Sequence, residues 1–123
     1  MFGLGKSKGK ANVNGLEQNE VVMTQRESNT KIQGKKAFWA VTNKRLLSVS
    51  KDNDSIINSY DLSKVIVIVK NKKNHLKYAS TVGRWDGDLD FLHNGQPIGS
   101  IEKADDPDEF ASIVEQCKKS LGS

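Results

Sequence analysis

The chain has 123 residues, of which 36% are apolar and 28% charged, and a formal net charge of +4. That is the length of one domain around one core, and no run approaches the roughly 18 consecutive apolar residues of a membrane-spanning helix. Met1-Phe2-Gly3-Leu4-Gly5-Lys6 lacks the apolar stretch of a secretory signal, and the single Cys117 excludes an internal disulfide, so the expectation is an intracellular, cytoplasmic protein with a core thiol.

Charge is unevenly spread. Residues 1 to 82 carry +9 and residues 83 to 123 carry −5, as a basic sheet followed by an acidic helix start would give. Residues 1 to 15, with four glycines and Lys6, Lys8 and Lys10, read as a flexible basic arm ahead of one domain over residues 16 to 123. Phe2 stands where myristoylation needs glycine.

Val21 to Gln25 reads as a first strand, followed by a polar loop holding Lys31, Lys35 and Lys36 and bending at Gly34. Lys36 to Lys51 then reads as a hairpin turning at Asn43-Lys44, where Asn tolerates left-handed backbone. Trp39 belongs to the core. Asp52 to Ser55 is dense in turn formers and precedes a strand over Ile56 to Tyr60. Val65-Ile66-Val67-Ile68-Val69, five β-branched residues between Lys64 and Lys70, is a strand with apolar groups on both faces. One face must meet the core, and the other needs a cover such as a loop, the arm or another subunit.

Asn71 to Asn74, with Lys72 and Lys73, reads as a basic loop, His75 to Val82 as a half-exposed strand, and Gly83 to Asp88 as a loop. Asn94-Gly95 signals a further hairpin between Leu89 and Ile101. The chain ends in a helix. Asp106 is its N-cap, Pro107 its first residue, and Glu109 completes a capping-box variant. Phe110, Ile113, Val114, Cys117 and Leu121 form its apolar stripe.

This run of short strands and one amphipathic helix, with the words Val41-Thr42-Asn43-Lys44-Arg45-Leu46 and Tyr60-Asp61-Leu62-Ser63-Lys64-Val65, resembles the bacterial branch of the pleckstrin-homology-like (PH-like) superfamily. GRAM domains share a similar hairpin and superfold. The resemblance covers roughly residues 19 to 121. It implies a mainly β fold: a PH-like barrel made of a seven-stranded, bent antiparallel sheet capped by the C-terminal helix. It further implies a binding module, not an enzyme, and a structural role for Arg45 in the hairpin. Some members of the family assemble into oligomers. The basic motif of phosphoinositide-binding members is incomplete, because Phe38 stands where its last Arg would be.

Asp86, Asp88 and Asp90 alternate as in a calcium loop, but Phe91 and Pro97 occupy the positions of its Gly and Glu. His75 and His93 lack metal-ligand spacing relative to Cys117. No catalytic constellation, metal or cofactor is expected. Two surfaces remain as candidates. Val65, Ile66, Val67, Ile68 and Val69 would form a protein interface with a partner or with other copies of the chain. Lys31, Lys35, Lys36, Lys70, Lys72 and Lys73 would meet anions, either by peripheral attachment to an anionic membrane or by weak nonspecific contact with nucleic acid.

Overall fold

A computed structural model describes residues 12–74 and 85–122. In chain order the elements are β1 (Val22–Glu27), β2 (Ala37–Thr42), β3 (Arg45–Ser50), β4 (Ile56–Asp61), a 3-10 turn (Leu62–Lys64), β5 (Val65–Asn74), β6 (Trp85–His93), β7 (Gln96–Asp105) and α1 (Pro107–Gly122). The strand expected over His75 to Val82 and most of the expected arm lie outside the described residues.

The strands form two antiparallel sheets, β1-β2-β3-β4 and β5-β6-β7. The single seven-stranded sheet and closed barrel expected from the sequence are therefore corrected. The 3-10 turn lifts the chain out of the first ladder before β5 begins, and β1 meets β7 through side chains. Arg26 of β1 donates from Nε to Asp105 O (2.7 Å) and from Nη2 to Asp106 O (3.2 Å), and it pairs with Glu109 at 2.9 Å.

One core lies between the sheets under α1. Trp39, Val41, Leu46, Val65, Leu89, Phe91, Ile101, Phe110 and Val114 are buried together, and Trp39 packs on Phe91 with ring centroids 4.7 Å apart. β7 admits the indole because residue 99 is glycine: a Cβ there would clash with Cζ2 and Cη2 of Trp39. Trp39 Nε1 and Ser48 Oγ, on residues opposite each other in the β2–β3 ladder, are buried without a hydrogen-bond partner. A second cluster, Val22, Phe38, Ala40, Leu47 and Val49, lies on the outer face of the first sheet with Val13, Leu16 and Ile56 packed against it. Asn14 fastens that segment, its N–H donating to Asp54 O and its Nδ2 to Asn53 O, both at 2.8 Å.

Local signals explain most of the boundaries. Asn94 and Gly95 both have positive φ, 53° and 80°, as a two-residue primed turn requires. Asp106 accepts from Glu109 N–H at 3.2 Å, but the Glu109 carboxylate turns to Arg26, so only half of the capping box forms. Leu121, placed in the helix stripe by its spacing, is exposed in the last turn. Asn71 to Asn74 continues β5, and Trp85 to Asp88 belongs to β6; both stretches were expected as loops.

Gly99→Ala should lower stability by about 1–3 kcal/mol through overpacking against Trp39. The check is the urea midpoint at unchanged m-value. An unaltered midpoint would show that the indole moves aside at no cost.

Candidate functional site

The β2–β3 turn is held by side chains. Thr42 Oγ1 accepts from the N–H groups of Lys44 (3.0 Å) and Arg45 (2.9 Å) and donates to Glu20 Oε2 at 2.6 Å. Asn43 is not left-handed, contrary to the expectation for this turn. Its Oδ1 instead accepts from Val21 N–H (2.8 Å) and its Nδ2 donates to Asn19 O. Arg45 grips both oxygens of Glu20 at 2.9 Å and donates to Gly15 O. The Glu20 side chain is fully buried. Burial alone raises its pKa, but the hydrogen bonds from Arg45 and Thr42 and the backbone one outweigh it and hold the carboxyl at about 2. This constellation holds the β2–β3 turn to the segment ahead of β1 and engages Nε, Nη1 and Nη2 of Arg45 within the fold.

The six sequence-named lysines divide into two groups. Lys31, Lys35 and Lys36 stand exposed in the β1–β2 loop without an ion pair among the described residues. Lys31 and Lys36 line a cleft of about 340 Å³ with Ser28, Thr30 and Lys51. Lys51 pairs with Glu27 on the same wall at 2.9 Å. Lys70, Lys72 and Lys73 lie on β5. Lys70 bonds Asp90 at 2.8 Å, and that hydrogen bond raises its pKa. Lys72 pairs with Asp108 at 2.9 Å and lies over the Trp85 ring, 5.4 Å from its centroid. The charge of Lys70 and Lys72 is thus met within the chain.

Asp88 is also committed. Its oxygens accept from Asn71 Nδ2 (2.7 Å) and Lys103 N–H (3.0 Å), and both bonds, the Asn71 one first, hold its carboxyl below the usual range. The alternating carboxylates of β6 therefore serve the sheet. Trp39 is buried and has no face to offer a ligand, whereas Trp85 is exposed.

The Val65 to Val69 stretch separates by parity. Val65 is buried, Val67 and Val69 are half-buried against the core, and Ile66 and Ile68 stand 48% and 42% exposed on the outer face. Ile66 lies opposite Leu92, which lies opposite Pro97. Ile68 borders a shallow groove of about 390 Å³ with Leu92, Pro97 and Ile98. Sequence reasoning missed Leu92, Pro97 and Ile98 as neighbours of this patch, and only the β5–β6–β7 register identifies them.

No protein-family model matches the sequence, and no curated protein or solved structure matches the chain.

Glu20 titrates at about 2 in the fold against an ordinary 4.5, so its contribution is complete above about pH 5 and disappears as the pH falls toward 2. The contribution is of order 3 kcal/mol. Glu20→Gln should flatten the stability profile across that window and lower stability at pH 7 by about 3–5 kcal/mol. Urea melts from pH 2 to 7 read both effects, and a profile as steep as that of the wild type would refute this role.

Proposed function

We propose that the chain is a non-catalytic PH-like module that works by binding protein, either a partner or further copies of itself, on the outer face of β5–β6–β7. Seven antiparallel strands followed by one C-terminal helix, among the described residues, support the PH-like reading. The observation that carries the binding reading is the exposed pair Ile66 and Ile68 beside Leu92 and Pro97, on a face to which α1 contributes no cover. Exposed apolar groups gathered on one face of a soluble domain mark contact surfaces.

The double variant Ile66→Asp/Ile68→Asp should keep its melting temperature within a few degrees and lose association, read by light scattering and by retention of a partner. Val67→Asp, which points at the core, should destabilise the domain by about 2–4 kcal/mol. Association unchanged in the double variant would end this reading.

A second reading, attachment to anionic membrane, is favoured by one observation: Lys31, Lys35 and Lys36 have no ion pair among the described residues, and two of them share a cleft with hydroxyl groups. Lys31→Glu/Lys35→Glu/Lys36→Glu should abolish flotation with phosphatidylserine vesicles at low salt, whereas Lys70→Gln/Lys72→Gln should have little effect. Equal retention of both variants would dispose of the cleft.

A further inference from the structure

We propose that the outer face of β5–β6–β7 receives an amphipathic helix of another protein, with apolar residues over Ile66, Ile68, Leu92 and Pro97 and lysines or arginines further along it over Asp88 and Asp90. This rests on the protein-binding reading of that face and specifies the partner's secondary structure and charge.

Register arranges the face in rows. Leu89, Phe91, Ile101 and Ala104 are buried on the core side of the sheet, so their neighbours along each strand point outward, and residues paired across strands share a side. The first row is Ile66, Leu92 and Pro97, and the second is Ile68, Asp90 and Ser100. The third holds Lys70 and Asp88, and the fourth Lys73, Asp86 and Asp105. The face is thus apolar beside the Asn94-Gly95 turn and charged at its other end. There Asp86, Asp88, Asp90 and Asp105 outnumber Lys70 and Lys73.

Asp88 keeps its charge. Its two hydrogen-bond donors, the Asn71 amide and the Lys103 backbone N–H, are neutral groups and favour the ionised carboxyl. Asp90 shares its charge with Lys70, whose own side chain is half-exposed.

Backbone chemistry selects a helix as occupant. A segment laid flat on a sheet meets side chains, so an extended chain would leave its N–H and C=O groups unpaired beneath the contact. A helix pairs them internally, as α1 does on the opposite side. Successive rows stand about 7 Å apart along the strands, which corresponds to about four to five residues of helix. Apolar residues at i, i+3 and i+4 therefore cover the first two rows, and basic residues at i+7, i+8 and i+11 reach the acidic ones.

Charge removes the other occupants. Nucleic acid and anionic membrane are repelled by the excess of carboxylates. A second copy laid face to face sets its own carboxylates over these or over Ile66 and Ile68, and α1 of a second copy has Phe110, Val114 and Cys117 buried in its own core.

The experiment is calorimetry and NMR shift mapping on the full chain with the synthetic peptide acetyl-Ser-Leu-Gln-Ala-Leu-Leu-Gln-Ala-Lys-Lys-Gln-Ala-Lys-Ala-amide, which carries this spacing. A Kd of about 0.1 mM or tighter is expected, with the shifts gathered on Ile66, Ile68, Asp88, Asp90 and Leu92. Glutamates in place of the peptide's lysines should weaken it about tenfold or more, and proline in place of its second glutamine should abolish binding. Lys70→Gln should tighten the basic peptide about threefold at an unchanged melting temperature, because it releases Asp90. No binding at about 1 mM peptide, equal affinity for the glutamate version, tolerance of the proline, or weaker binding by Lys70→Gln would each overturn the proposal. Association in Ile66→Asp/Ile68→Asp separates the two readings. If that variant loses association while the wild type fails any of the peptide tests, the helix proposal alone falls. If association survives in the variant, the reading of the face falls and takes the helix proposal with it.

Discussion

The buried bond between Glu20 and Arg45 ties the segment ahead of β1 to the first residue of β3. Through it the N-terminal segment, the β2–β3 turn and the start of β1 share one set of hydrogen bonds, with Thr42 completing the carboxylate's coordination. A buried ion pair is weak evidence for net stability, because desolvation offsets its attraction, but loss of one partner leaves an uncompensated charge. Its effect here is positional. With Glu20 held, Val13 and Leu16 are delivered onto Phe38, Leu47 and Val49, and the first sheet becomes apolar and covered on both faces.

That covering makes the two sheets unequal. The first sheet is enclosed between the inter-sheet core and the N-terminal segment. The second has α1 and the core on one side and Ile66, Ile68, Leu92 and Pro97 on the other. A sheet whose central strands β2 and β3 are buried on both faces thus stands beside a thinner one whose outer face is available. The lysines of β5 are largely absorbed by Asp90 and Asp108. The lysines along residues 31 to 73 are therefore not one surface: among the described residues Lys31, Lys35 and Lys36 of the β1–β2 loop have no ion pair, whereas Lys70 and Lys72 of β5 have carboxylate partners.

Most elements were legible in the sequence because their signals are local. Asn94-Gly95 needs only its own backbone preference to turn the chain, and Asp106-Pro107 starts a helix from side-chain chemistry within one turn. Alternation and branching marked β2 to β5, and the apolar stripe marked the buried face of α1 as far as Cys117. Where local rules misled, a distant partner intervened. Asn43 is held by Val21 and Asn19 instead of by left-handed backbone, Glu109 prefers Arg26 to its own cap, and Asn71 to Asn74 stays extended because β6 pairs with it.

The sequence by itself determined the kinds of element, their order, the turns and the chemistry available on each strand, since propensity, capping and periodicity act over a few residues. Only the tertiary structure decided which side of β5 is bare, which lysines are neutralised, and where Glu20 finds its cation. Those outcomes depend on pairs such as Lys118 and Val65, 53 positions apart, and a strand apolar on both faces carries no local mark of which face will be covered. Register between strands, set by packing across the whole core, made that choice.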